Sequence, residues 1–281
     1  MRAMFLRGRR IGISISESPD MAALGLGKEH LDDAMTEIAR HLIACGATLA
    51  YGGDLREGGF TELLFEIVTR YRRNKDSNRI LVKNYLAWPV HTSLLADQIE
   101  KWQMALEGLA ELVLLSPDGK KMKLSNRPAD AAPLGQGDWE DGLTAMRNAM
   151  ACDIDARIVL GGQTAKYKGR LPGIAEEALI QIERGAPLFV LGGFGGCSSD
   201  IARAMGIDQR DDLGAGSTRS WTGIETVRQF SPNNLHNGLT AVENRKLAET
   251  VHIDEATALI LRGLMRMKPG PTKRRRTDRS G

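Results

Sequence analysis

Three stretches of this chain are rich in glycine and suited to meet a phosphate. They are Gly52-Gly53-Asp54-Leu55-Arg56-Glu57-Gly58-Gly59, the span from Gly161-Gly162 to Gly173, and Gly192-Gly193-Phe194-Gly195-Gly196-Cys197-Ser198-Ser199-Asp200. Without a Cβ the backbone can approach a phosphate closely, and a following helix offers free N–H groups at its positive end. One such stretch would mark only a tight turn. Three at equivalent places point to ligand binding, with Gly52, Gly53, Gly161, Gly162, Gly173, Gly193 and Gly195 as candidate contacts. None of the three is a GxxxxGK[ST] phosphate loop. The first predicted strand runs into Ser16-Glu17-Ser18 and not into GxGxxG, which argues against an ordinary dinucleotide dehydrogenase.

Side chains near these loops supply the chemistry. Asp54 and Arg56 suit ribose hydroxyls and phosphate, although both residue types also stabilise turns. Ser14, Ser16 and Ser198 can donate a hydroxyl to phosphate or serve as caps. Arg170 lies between Gly169 and Pro172, a loop setting that favours contact with an anion. Arg147 can clamp a phosphate through two parallel hydrogen bonds, or it can lie on a solvent-facing helix surface. Glu177, with Glu176 beside it, can stabilise the positive charge of an oxocarbenium-like sugar as an N-glycosidic bond breaks. A first-turn carboxylate complementing its own helix dipole is the alternative for Glu177. Cys197 has no histidine adjacent in sequence and is not expected to be a nucleophile.

The elements that must hold these residues alternate between strand and helix. Strands are expected at Ile11–Ile15, Thr48–Tyr51, Ile80–Val82, Glu111–Leu115, Arg157–Leu160 and Leu188–Leu191. Helices are expected near Lys28–Cys45, Thr61–Arg72, Ser93–Leu106, Trp139–Cys152 and Ile174–Arg184. The polar span Asp118–Asp138 suggests an exposed insertion. Towards the C-terminus, Thr240-Ala241-Val242-Glu243 has the form of a capping box. Asp254 is the expected cap of a last helix striped by Ala256, Leu259, Ile260, Leu264 and Met267. The pattern predicts an α/β fold: a Rossmann-like, doubly wound, mainly parallel sheet in a single domain over 1–267, with a helical C-terminal extension.

Met146-Arg147-Asn148-Ala149-Met150, then Asp155 to Gly162, then Gly173-Ile174-Ala175-Glu176-Glu177-Ala178, with Tyr51-Gly52-Gly53 upstream, make a longer pattern. It resembles the LOG ("Lonely Guy") phosphoribohydrolases and the wider SLOG superfamily of Rossmann-like nucleotide-binding domains, over roughly Ile11 to Ala204. The resemblance places Arg147 on the LOG active-site arginine and Glu177 on its active-site glutamate. Three departures stand out: the ten residues Gln163 to Pro172 interrupt the GG–G spacing, Ile174 stands where LOG proteins have threonine, and Leu160 replaces the motif's proline. Lys166, Lys168 and Arg170 fall in the interruption, so a differently shaped and more positive pocket is expected. The resemblance also implies self-association as a homo-oligomer, since LOG-like proteins are commonly dimers, and a place among enzymes of nucleotide N-glycosidic bonds or sensors of nucleotide-derived signals, some of them in bacterial antiviral systems.

Composition bounds the rest. In 281 residues, 42% hydrophobic and 26% charged, no apolar run is long enough to span a membrane. No signal-peptide core is present near the N-terminus, so a cytoplasmic location is expected. Three scattered cysteines and five histidines without paired spacing argue against a disulfide framework and a protein-held metal. No cofactor is called for. The net charge of +3 is concentrated after Lys268, where Lys273, Arg274, Arg275, Arg276 and Arg279 follow. This tail, 268–281, is expected to be disordered, and only through it would the chain touch nucleic acid. The expected function is binding or sensing of a nucleotide-derived phosphate ligand, such as ADP-ribose or a cyclic nucleotide. Hydrolysis or transfer at a nucleotide N-glycosidic bond is the alternative.

Overall fold

The computed structural model describes residues 4–71, 79–128, 134–208 and 219–267. The strands among them are β1 (Arg10–Ser16), β2 (Thr48–Gly52), β3 (Val82–Leu86), β4 (Ala110–Leu115), β5 (Lys121–Met122), β6 (Ala156–Gly161) and β7 (Leu188–Leu191). They form one sheet in the order β5-β4-β3-β2-β1-β6-β7. Every pairing is parallel except that of β4 with β5. This is a Rossmann-like α/β fold.

The central strands are apolar on both faces, as a parallel sheet covered by helices requires. Along β6, Ile158 and Leu160 enter one core and Val159 the other, following the period of two of a strand. The first core holds Ile11, Ile13 and Ile15 of β1 against Leu31, Met35, Ile38 and Leu42 of α1 (Lys28–Ala44). The opposite face is covered in two parts. Beside β2–β4, Ala50, Tyr85 and Val113 pack with Met146 and Met150 of α5 (Gln136–Asp153). Beside β6 and β7, Val159 and Val190 pack with α6 (Gly173–Glu183) and α7 (Gly196–Ala204).

Several boundaries differ from expectation for identifiable reasons. The third strand begins at Val82, two residues beyond Ile80, although the ladder already reaches Leu81: Leu49 N–H donates to Leu81 O and Leu81 N–H to Leu109 O. The helix expected over Ser93–Leu106 forms as α4 (Ala96–Ala105), and an unexpected short helix, α3 (Trp88–Thr92), stands between it and α2 (Phe60–Tyr71). Pro89 near its start favours a new helix at Trp88, and Arg127 Nη2 donates to the Thr92 and Leu94 carbonyls where α3 ends. The insertion is less irregular than expected, since it contributes edge strand β5 and the first turn of α5. Residues 129–133 of it, like Arg72 and the basic tail, lie outside the described residues.

Past α7 the chain forms α8 (Ile224–Val227), α9 (Ala241–Glu249) and α10 (Ile253–Arg266). The capping box forms: Thr240 N–H donates to Glu243 Oε2 at 2.9 Å and Glu243 N–H to Thr240 Oγ1 at 3.2 Å. Glu243 also accepts from Arg262 and Arg266 at 3.0 and 2.6 Å, which ties α9 to α10. Asp254 is not the cap of α10. The helix starts at Ile253 with His252 at the cap position, and Asp254 falls within the first turn, where its charge meets the helix dipole instead.

The segment between α9 and α10 closes over the third glycine-rich stretch. Leu191 to Asp200 is buried throughout, and a Cβ on Gly193 would collide with the Thr250 carbonyl. Gly193→Ala is therefore expected to lower unfolding free energy by about 1–3 kcal/mol, the usual range for overpacking. Gly137→Ala, at a helical site with open space around it, should be neutral or stabilising. Urea denaturation of the two variants beside the parent chain measures both; equal stability would show that Gly193 is not packed as described.

Candidate functional site

Strand order reverses between β1 and β6. From β1 the chain winds towards β2, and from β6 towards β7, so the two crossovers leave a crevice at the carboxyl ends of the pair. Gly161 forms the sharp end of β6 at φ +67°, where an added Cβ would strike the Ser16 carbonyl. A cleft of about 550 Å³ opens here, within the range of small-ligand sites.

Its centre is Glu177, one residue past the first turn of α6. One carboxylate oxygen, Oε2, accepts from the Ser14 hydroxyl and from Arg157 Nη1 at 2.6 Å. Arg157 Nη1 also donates to Ser14 Oγ at 2.8 Å. Arg157 projects from β6 with no exposed surface, and its Nε and Nη2 find no hydrogen-bond partner among the described residues. Such burial costs several kcal/mol unless a counter-charge stands beside it, and Glu177 is that charge. The other oxygen of Glu177, Oε1, lies 3.9 Å from Arg147 Nε. Glu177 lines the cleft.

Arg147 is not the solvent-facing helix residue of the alternative reading. It is 7% exposed and lies between both glutamates, with Nη1 bonded to Glu176 Oε2. Thr144 holds the other oxygen of Glu176. Acid and base thus alternate along Glu176, Arg147, Glu177 and Arg157. Gly169 and Gly173 leave room for this guanidinium, since a Cβ on either would come within 2.7 and 3.0 Å of its Nη1 and Nη2. Nη1, one prong of the clamp expected from sequence, is thus bonded to Glu176 within the protein.

The other candidates divide. Ser16, Gly52, Gly53, Asp54, Arg56 and Gly173 line the same cleft. By helix geometry the N–H groups of Gly173 and Ile174 have no acceptor within α6. Asp54 and Arg56 form an ion pair at the rim, 3.3 Å apart. Gly161 and Gly162 do not line the cleft; they turn the chain at the end of β6, and Gly162 O accepts from Cys197 N–H. Tyr51 joins the wall, its phenol pushed up by burial and by the Glu177 charge. The interruption crosses the cleft as a strap. Gln163 and Lys168 line the cleft, and Gln163 Nε2 is anchored on Glu17 O. Arg170 pairs with Asp141 of α5 and is not among the lining residues.

The third stretch lies apart. Gly193, Gly195 and Ser198 do not line the cleft, and Ser198 Oγ donates to Leu191 O and Gly195 O. The anion position at the start of α7 is taken by the protein itself: Gly196 N–H donates to Asp20 Oδ2 at 2.6 Å. Arg219 grips both oxygens of Asp20 at 2.6 Å and reaches Asp200 at 3.0 Å. Burial raises the Asp20 carboxyl, but the bonds from Arg219 and Gly196 outweigh it and the net direction is down. Asp200 goes the other way, raised by burial against the pull of Arg219 and Trp221. Cys197 is buried, which pushes its thiol up.

Arg157 and Asp20 escape a sequence reading, for different reasons. Arg157 leaves a trace, a charged residue inside the apolar run of a central strand, and such a residue needs a buried partner. Asp20 leaves none, because its partners lie 176 and 199 positions away. Among the described residues no group of three or more metal-ligating side chains converges, and no helix is long and apolar enough to cross a membrane.

A doubly wound sheet with a carboxylate and a helix N-terminus facing its switch point defines a Rossmann-like ligand-binding or ligand-processing domain. The chain belongs to the SLOG superfamily: the family model SLOG cluster2 matches residues 5–222. That family is one of nucleotide-related folds. No curated protein sequence matches the chain.

Two outcomes are expected from these networks. Arg157→Met strands Glu177 beside the sheet and should cost about 3–5 kcal/mol of stability, while adding Glu177→Met should return much of it; denaturation of the cycle measures the coupling, and additive losses would exclude it. At Asp20 the folded value lies below the ordinary 3.8, so the ionised form stabilises the fold above that pH and the contribution is lost as acid protonates it. Asp20→Asn should therefore be less stable than the parent chain at pH 7, with the gap narrowing below about pH 4. Unfolding curves at pH 7 and pH 3 check this; a gap independent of pH would contradict it.

Proposed function

We propose that the cleft at the β1–β6 switch point binds a nucleotide-derived phosphate ligand. The observation that carries this reading is Glu177, held by one oxygen from within the sheet, beside a helix start whose N–H groups are free. A sugar phosphate matches that pair. Its hydroxyls donate to the carboxylate, and its phosphate accepts from Gly173 and Ile174 N–H, Arg147 Nη2 and Ser16. Lys168 on the strap and Arg56 at the rim add positive charge at the entrance.

A second reading, hydrolysis at the N-glycosidic bond of a nucleotide, is favoured by the same carboxylate. Departure of a base leaves positive charge at the anomeric carbon, and a fixed carboxylate costs no reorganisation when it meets that charge. A sensing domain would hold the intact ligand and turn none over.

Calorimetric titration with ADP-ribose, AMP and cyclic AMP tests the common ground. At least one should bind, and Gly173→Asp should weaken it tenfold or more by placing a carboxylate where the phosphate sits. Binding insensitive to Gly173→Asp would overturn the placement. Chromatography of NAD and nucleoside monophosphates after incubation separates the readings: an enzyme loses turnover but keeps binding in Glu177→Gln, whereas a sensor forms no product in either protein.

A further inference from the structure

Opposite the polar wall the cleft is apolar, and α5 runs along it. Trp139, Leu143, Met146 and Arg147 all line the cavity. Their spacing of four, three and one keeps them on one helix face, and the eight residue steps from Trp139 to Arg147 rise about 12 Å along the axis of an α-helix. One end of this stripe carries the guanidinium of the sugar-phosphate site, the other an indole.

Val90 of α3 and Leu94 beyond it line the same cavity. The two helices approach closely because residue 142 is glycine: a Cβ there would stand 2.5 Å from Pro89 Cδ. Aliphatic side chains and an aromatic ring thus bound a slot at the far end from Glu177. The Trp139 ring is half-buried, and its covered face meets the Lys168 ammonium at 3.9 Å from the ring centroid. The Lys168 backbone is held there by Gln136 Nε2, at 3.3 Å from its carbonyl. The cation is exposed and carried by the strap.

We infer that this slot is a stacking subsite for a planar aromatic base, with Trp139 as its platform. Lys168 covers the ring in the ligand-free protein and is displaced towards the phosphate when a base takes its place. The inference rests on the sugar-phosphate reading above and adds the class of group at the other end. Trp139 and Arg147 lie about two turns apart on one face of α5, and a nucleoside monophosphate likewise carries its base and phosphate on opposite sides of the ribose. A base has a π-face for the indole, and stacking of this kind is sequence-tolerant, so adenine is a fair probe.

Titration calorimetry with AMP, ADP-ribose and ribose 5-phosphate tests it, with the parent chain, Trp139→Ala and Trp139→Phe. AMP or ADP-ribose should bind roughly tenfold or more tightly than ribose 5-phosphate. Trp139→Ala should bring that ratio close to one with ribose 5-phosphate binding unchanged, and Trp139→Phe should restore most of it. A ratio near one in the parent chain, or one that survives Trp139→Ala, overturns the base subsite; if ribose 5-phosphate still binds, the sugar-phosphate reading stands. Binding of none of the three overturns both. Thermal melts confirm that the variants are folded, and Leu143→Ala replaces Trp139→Ala if the latter is not.

Discussion

A guanidinium with no access to water sits in the middle of the sheet, and much of the architecture around the cleft answers to it. Arg157 on β6 must have a carboxylate within reach, and only a helix crossing directly over the β1–β6 pair can supply one. Glu177 does so from just past the first turn of α6, with Ser14 of β1 bridging the two. Three elements from distant parts of the chain are thereby fixed in register around one oxygen atom. The satisfied oxygen faces the sheet, and the cost of burying Arg157 is offset only while that geometry holds. A carboxylate that lines the cleft is thus also a structural counter-charge, so rigidity of the cleft wall and stability of the fold share one cause.

Three glycine-rich stretches of similar composition have three different fates, decided by contacts far away in sequence. The first opens on the rim of the cleft. The second turns the end of β6, and the third is sealed under Thr250 with Asp20 occupying the anion position of its helix. Composition alone cannot separate a helix N-terminus that awaits an anion from one already satisfied by an internal carboxylate. By contrast, strand and helix order was legible throughout, because buried parallel strands and amphipathic helices impose local periods on the sequence. The errors fell where local rules compete. Pro89 starts a helix that the periodicity does not announce, and His252 takes the cap position that the residue type of Asp254 suggested.

The resemblance to LOG proteins singled out Arg147 and Glu177; the structure sets them 3.9 Å apart and gives each further partners inside the protein. Arg147 binds Glu176 within the protein, and Arg157 lies beneath, so the pair belongs to a chain of four alternating charges. The strap that interrupts the motif has an equally mixed character. Of the three cations it brings, Lys168 alone lines the cleft, while Arg170 is spent on Asp141 and fastens the strap to α5. The added positive charge is therefore smaller at the cleft than the sequence suggests, and the mechanical effect of the insertion is larger.

These charges constrain what the cleft can accept. Glu176 stands in the first turn of α6 and Glu177 just beyond it, and each opposes the approach of a second anion. Attraction for a phosphate must come from the free N–H groups of that turn, from Arg147 Nη2 and from Lys168, all on the side away from the satisfied oxygen of Glu177. A simple anion gains nothing from the carboxylate and is repelled by it. A ligand that carries hydroxyl donors next to its phosphate would turn the same carboxylate from a penalty into a hydrogen-bond acceptor, and the phosphorylated sugar proposed above carries both groups. Selectivity against inorganic anions then follows from Glu177 itself, without any further residue.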